Sequence, residues 1–265
     1  MKDRKKADEG ELDYGNWVSL KLIYVPGAAG LAILILTPLV PLLLVPSLVL
    51  IAISSYFAYA RHLFSPRGKD ISRQVRRMVL TNIGGQGKGR GLDIGCGNGA
   101  LAIMLAKAYP EMMVVGMDYW GKDWGYSSSA CERNASIEGV GDRVTFQRGD
   151  AASLPFEDDS FDVVVSNFTF HEVRGVRDKG SLVQEALRVL RPGGWFSIQD
   201  LFLLKSAYGD LDALLDKMKD WGAEDTRFIE TRNSEIVPWS LKLPFMLGTM
   251  GIVAGRKRAR SVLEE

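Results

Sequence analysis

Histidine and cysteine are scarce in this chain, two of each in 265 residues. Two thiols, Cys96 and Cys131, cannot staple a secreted scaffold; they fit a reducing compartment and read as ordinary buried side chains. No His/Cys cluster has metal-ligand spacing, so no metal site is expected and a metal-assisted reaction is disfavoured. Neither sign of charge is in excess: 33 Lys and Arg face 32 Asp and Glu, a balance unlike that of a dedicated nucleic-acid binder. With 46% hydrophobic and 25% charged residues the chain fits neither a disordered tail nor a fibrous protein, and no internal repeat is visible.

Charge is missing altogether from Leu22 to Ala60, 39 residues that are nearly all apolar. Residues 1–80 hold eleven Lys/Arg and six Asp/Glu, net +5; the remaining 22 cations and 26 anions net −4. As one helix the uncharged run would reach about 58 Å, close to twice the hydrocarbon thickness of a bilayer. Pro38, Pro41 and Pro46 interrupt it. We therefore expect a helical hairpin over 20–60, with arms at about 20–36 and 42–60 joined by a proline turn. Cations flank both ends (Lys2, Arg4, Lys5, Lys6, Lys21; Arg61, Arg67, Lys69), which places both ends on the cytoplasmic side of a membrane and the turn outside or within the bilayer. Trp17 and Tyr24 near one end and Tyr56 and Tyr59 near the other would share one interface. Pro46 leaves the second arm about 15 uninterrupted residues, near 22 Å, so a re-entrant hairpin competes with full crossing. A buried hairpin of a soluble protein and a cleaved signal peptide are the other readings, the latter disfavoured by the run's length. Residues 1–19 form a cytoplasmic segment, of which 1–17 could act as a lid. Residues 61–89 hold a basic helix (Asp70 to Leu80) and a linker in which five of eight residues, 84–91, are glycine.

From about 90 to 258 strand-like and helix-like stretches alternate, which predicts an α/β, Rossmann-like domain with a parallel sheet. Expected strands are 91–94, 113–118, 144–148, 161–167 and 195–201; expected helices are near 99–108, 125–137, 179–190 and 208–221. The first strand runs into Asp93-Ile94-Gly95-Cys96-Gly97-Asn98-Gly99, where glycines allow a sharp turn and close ligand approach at a helix start. That glycine spacing alone also fits a dinucleotide site. Three acids narrow it. Asp93 would repel a pyrophosphate but attract an ammonium group. Asp118 ends the second strand, where a carboxylate can accept both ribose hydroxyls. Asp150, in Gly149-Asp150-Ala151, is placed to meet an exocyclic adenine amine. A ligand with an amine, a ribose and an adenine but no phosphate matches S-adenosyl-L-methionine.

These motifs, with Leu154-Pro155-Phe156-Glu157-Asp158-Asp159-Ser160-Phe161-Asp162 and Leu187-Arg188-Val189-Leu190-Arg191-Pro192-Gly193-Gly194, resemble those of the class I S-adenosylmethionine-dependent methyltransferases. The resemblance spans about 90–200 and is nearest to the ubiquinone/menaquinone methyltransferase-like branch. It implies a seven-stranded sheet whose last strand, here Thr249–Gly255, runs antiparallel, with Arg227–Glu230 before it. It also implies that Gly95, Cys96, Gly97 and Asn98 hold the methionine moiety with Asp93, that Asp118 holds the ribose, and that Asp150 and Ala151 hold the adenine. Tyr119 or Trp120 would pack on the adenine ring, against a core-filling role for Trp120 and Trp124.

Methyl transfer needs alignment and water exclusion, and a base only where the acceptor atom carries a proton. After the fourth strand, His171 could be that base with Glu172 orienting it, or simply a capping or core histidine. Asn167 and Phe168 shape the cofactor pocket. The apolar connection Glu235–Leu247 reads either as sheet cover or as a lip touching membrane or acceptor. A bilayer anchor favours a small lipophilic acceptor (a lipid, quinone or isoprenoid) and membrane lipids as partners; the sequence leaves the oligomeric state open. Two rivals stand: a membrane-bound nicotinamide oxidoreductase, weakened by the absence of a Tyr-x-x-x-Lys pair, and a non-catalytic cofactor-binding scaffold.

Overall fold

The computed structural model describes residues 10–85, 87–121 and 125–259, which divide into two compact units: Asn16–Gln74, and the remainder. Trp124, weighed above as a core-filling side chain, and residues 1–9 of the lid lie outside the described residues.

The first unit holds the uncharged run, folded as α1 (Lys21–Leu36), a 3-10 turn at Pro41–Leu43, and α2 (Leu44–Phe64). The chain reverses where the prolines predicted it. Pro46, however, does not shorten the second arm. It lies in the first turn of α2, where backbone N–H groups have no partner within the helix, so the helix runs on for 21 residues to Phe64, about 31 Å. The stretch Pro41–Phe64, which contains an 18-residue window of mean hydropathy 2.0, is long and apolar enough to cross a bilayer, whereas α1 has 16 residues, about 24 Å. The two helices pack through small residues. Ser47 Oγ donates to the Gly30 carbonyl at 2.8 Å, and Ser54 Oγ to that of Ile23 at 2.8 Å. A Cβ on Gly30 would meet Ile51, Leu50 and the Ser47 carbonyl within 2.9–3.1 Å, so glycine there sets the close approach. Outward side chains such as Val25, Ile35, Leu39 and Leu42 are exposed. At the open end Asn16 Nδ2 donates to the Arg61 carbonyl at 3.0 Å, Arg61 donates to that of Val18, and Trp17 packs on Phe64.

α3 (Ile71–Leu80) spans the boundary between the units. The second unit is built on seven strands: β1 Gly89–Ile94, β2 Met112–Asp118, β3 Val144–Arg148, β4 Phe161–Asn167, β5 Leu190–Asp200, β6 Ala223–Ile229 and β7 Gly251–Lys257. Their order is β3-β2-β1-β4-β5-β7-β6, and only β7 runs against the others. Period-two alternation splits each strand between two cores. On β4, Val163 and Val165 join a layer with Leu101, Ile103 and Leu105 of α4 (Ala100–Ala108) and Ala135 of α5 (Ser128–Ile137). Val164 joins the opposite layer with Leu182 and Val183 of α6 (Gly180–Val189), beside the short α7 (Lys205–Tyr208), and Met218 of α8 (Leu211–Asp220).

The fifth strand begins earlier than its expected start at 195. Arg191-Pro192-Gly193-Gly194 bulges out between the Phe161–Leu190 and Val163–Trp195 pairs, so the proline costs no ladder bond. The last two strands lie at 223–229 and 251–257, not at 227–230 and 249–255. The connection between them divides: Val237, Leu241 and Leu247 are buried, whereas Trp239, Leu243 and Phe245 are exposed.

Candidate functional site

Strand order reverses direction between β1 and β4, and at such a switch point the loops beyond the carboxyl ends diverge and leave a crevice. The loop after β1 begins with Gly95 at φ +76°, packed so tightly on Thr169 that a Cβ would collide with its side chain. The Gly95 and Cys96 amides both donate to the Met117 carbonyl, at 2.7 and 3.0 Å, and Gly99, also left-handed, opens α4.

Asp118 braces this loop from the end of β2. Its Oδ2 accepts from the Gly97 amide at 2.9 Å and its Oδ1 from the Trp120 amide at 2.7 Å. Burial raises its pKa and these backbone donors pull it back. Each oxygen keeps a lone pair for a further donor such as a hydroxyl. Asp93 is different. It is 1% exposed, neither carboxylate oxygen has a hydrogen bond of normal geometry, and burial pushes its pKa up to about 7, against the Ala102 amide and the Arg76 charge. A buried carboxylate with no hydrogen bond of normal geometry at a glycine turn suits a cationic group. Asp150, after β3, is exposed and turned to the Ala152 amide at 2.8 Å, with Ala151 buried beside it. At the end of β4, Asn167 Oδ1 is a buried acceptor without a partner.

Several expected residues have structural bonds of their own. Trp120, at φ +45°, folds its indole back so that Nε1 donates to the Gly97 carbonyl at 2.9 Å, and Cys131 Sγ reaches the same oxygen at 3.1 Å. Tyr119 stands largely exposed with Arg148 over its ring. A cleft of about 420 Å³ lies beside them, lined by Trp120, Tyr126, Phe146 and Arg148 among others. Cys96 is buried, and burial pushes its thiol up, which leaves it protonated and unreactive. Asn98 spends its amide on protein partners, accepting from Ser127 N at 3.1 Å and donating to the Asp13 carbonyl at 3.0 Å.

His171 lies in a 3-10 turn (Phe170–Glu172) beyond β4, and its main partner is not Glu172. Nδ1 meets Asp200 Oδ1 at 2.7 Å, whereas Nε2 and Glu172 Oε1 are 3.4 Å apart. Asp200 ends β5, is fully buried, and its Oδ2 also caps the turn through the Phe170 amide at 2.9 Å. Burial disfavours the imidazolium, but the Asp200 carboxylate outweighs it, with Glu172 helping, and the His171 pKa rises to about 9. At neutral pH His171 is therefore an imidazolium, with Nε2–H as a charged donor. Tyr208 lies in the field of Asp200, and burial with that charge keeps its hydroxyl protonated.

Three contributors were missed in sequence: Asp200, Tyr126 and Asn134. The 10–15 segment crosses the glycine loop. The Asp13 carbonyl accepts from both Asn98 and Asn134, at 3.0 and 2.8 Å; the Asp13 amide donates to Asn134 at 3.0 Å; and Gly15 abuts the Tyr126 ring, which also faces Gly97. The Asp13 pairs are separated by 85 and 121 residues, and no local motif announces them. Among the described residues, no group of three or more His, Cys, Asp or Glu is placed to hold a metal ion.

Residues 92–198 match the family model described as a methyltransferase domain. The chain is 38% identical over 131 residues to 27-O-demethylrifamycin SV methyltransferase of Amycolatopsis mediterranei, covering 49% of this chain and 45% of that protein. It is 37% identical over 106 residues to demethylmenaquinone methyltransferase of Roseiflexus castenholzii, covering 40% of each. The chain thus spans less than half the length of these curated relatives. Among solved structures, geranyl diphosphate C-methyltransferase from Streptomyces coelicolor superposes with a TM-score of 0.55 at 15% identity, over 74% of this chain and 87% of that one. The cyclase SpnF gives 0.54 at 19%, over 71% and 82%. At these identities the structures speak to the fold, and one fold hosts more than one chemistry.

Proposed function

We propose that this chain, which carries a methyltransferase domain over residues 92–198, transfers a methyl group from S-adenosylmethionine to a small lipophilic acceptor at a membrane. The observation that carries the reading is the row of carboxylates at the ends of β1, β2 and β3, with Asp93 buried and lacking a donor beside the glycine turn. Asp93 and the Gly95–Gly97 backbone would hold the amino-acid end of the cofactor, Asp118 the ribose hydroxyls, and Asp150 with Ala151 the adenine. Asn167 Oδ1 offers one more acceptor at the crevice. When bound, S-adenosylmethionine supplies a methyl group activated on a sulfonium. The protein's part is to align the acceptor and keep water out. His171, held by Asp200, presents a charged Nε2–H that can orient an acceptor oxygen; to take that oxygen's proton it must first be neutral.

The lipophilic acceptor and the membrane location follow from α1 and α2, whose uncharged, outward-facing apolar surface fits a bilayer. Cations at both ends of the pair support a cytoplasmic side for the methyltransferase domain. The test uses full-length protein in detergent. We expect it to bind S-adenosylmethionine and not NAD, and to transfer isotopic label from the cofactor to a component of native membrane lipids, seen by mass spectrometry as one added CH₂. Asp118→Ala abolishes the labelling. NAD binding in place of S-adenosylmethionine, or labelling undiminished in Asp118→Ala, overturns the proposal.

A further inference from the structure

The second unit exposes few large apolar side chains among its described residues. Leu12, Met113, Tyr119 and Ile137 stand apart in sequence, but Trp239, Leu243 and Phe245 fall within seven residues, at 86%, 36% and 66% exposure. Lys242 and Pro244 between them are exposed as well. The segment is well fastened. Val237, Leu241 and Leu247 are buried beneath it, and the backbone closes on itself through Leu241 N to Pro238 O at 2.9 Å, Leu247 N to Leu241 O at 3.0 Å and Gly248 N to Leu243 O at 2.9 Å. A fixed underside with an apolar crest is a presented surface, not a frayed loop. The segment leads into β7 at the carboxyl end of β5, where Gly251 pairs with Asp200 and the Thr249 carbonyl accepts from Leu203 N at 3.0 Å.

From this geometry we infer that Trp239, Leu243 and Phe245 dip into the interfacial layer of a lipid bilayer, with Lys242 at head-group level. The inference rests on the membrane reading of α1 and α2 and extends it to the domain that carries the site. Three observations favour lipid as the occupant. A tryptophan and a lysine flanking aliphatic and aromatic side chains match the amphipathic chemistry of the bilayer interface. Ten residues separate Phe64 from Val75, a tether that even fully extended spans about 35 Å, so the unit stays within reach of the bilayer that α1 and α2 enter. The chain leaves this segment for β7 beside the carboxyl end of β5, the end of the sheet on which the crevice lies, so docking the crest keeps that end toward the bilayer in which a lipophilic acceptor resides.

The experiment reconstitutes the full chain into phosphatidylcholine–phosphatidylglycerol vesicles with a nitroxide at Leu243→Cys, independently at Phe245→Cys, and at Ile35→Cys in α1. The native thiols are buried. Power saturation with oxygen and with a water-soluble nickel chelate should show all three labels more accessible to oxygen. Labels at 243 and 245 that meet the nickel chelate freely, while the one at 35 stays in lipid, overturn the inference and leave the anchor standing. All three in water overturn both. Labels at 243 and 245 shielded from both probes overturn the lipid assignment in favour of a protein partner. As a check on folding, Trp239→Ser/Phe245→Ser retains S-adenosylmethionine binding and loses vesicle-dependent protection of this segment.

Discussion

Replacing Asp200 by Asn isolates the charge that holds His171. Asn keeps an acceptor for the Phe170 amide and removes the negative charge 2.7 Å from Nδ1. A rise of the His171 pKa from 6.5 to about 9 corresponds to about 3 kcal/mol of preference for the imidazolium. A histidine whose folded pKa lies above its unfolded value adds stability that is complete below about 6.5 and is lost as pH climbs through about 9. In Asp200→Asn, burial acts with only Glu172 opposing it, and the midpoint should fall well below 9. The assay is simple because the chain has two histidines, His62 and His171, so the imidazole NMR spectrum holds two titrating signals and His62→Gln assigns them. Wild-type protein should also lose stability between pH 7 and 9 in denaturant titrations, and the variant should lose much less. A His171 midpoint that stays near 9 in Asp200→Asn would refute the reasoning and assign the charge to Glu172.

Asp93→Asn should stabilise the cofactor-free protein at neutral pH. A buried acid whose pKa rises from 3.8 to about 7 opposes folding increasingly between those values, by up to about 4 kcal/mol, so the gain in Tm appears at pH 8 and vanishes near pH 4, while the further rise on adding S-adenosylmethionine is lost. Gly30→Val should separate α1 from α2 by overpacking against Leu50 and Ile51, at a cost of about 1–3 kcal/mol in a mixed-micelle unfolding titration. Asn134→Ala removes three hydrogen bonds from a fully buried amide, and amide exchange at Tyr14 and Gly15 should quicken by at least about tenfold, with a smaller change in the β4 core.

Residues 92 to 200 were largely legible because their signals are local: β-branched runs for strands, glycines at turns and an acid at each strand end. What escaped depended on register. Asp200 meets His171 because β4 and β5 run side by side with Asn167 opposite Gln199, a pairing that no spacing in the chain announces. Glu172, adjacent in sequence, was the natural choice and proved the more distant partner. Pro46 misled for the opposite reason: proline disrupts a helix interior but not its first turn, and where that turn begins is decided by the Pro41–Leu43 segment before it. The crossing of Asp13 over the glycine loop needed the whole fold to bring together residues 85 and 121 apart.

The crossing segment also alters how the hairpin should be regarded. Residues 10–15 belong to the sheet unit, and so do the described residues from Val75 onward, so α1 and α2 are an insertion with two attachment points. Trimming the chain to begin at Ser72 would also remove Asp13, the acceptor of Asn98 Nδ2 and one of the two acceptors of Asn134 Nδ2, beside the glycine turn. A hairpin-free form that keeps the turn intact would retain residues 10–15 and replace only the stretch between Gly15 and Ile71 with a polar linker.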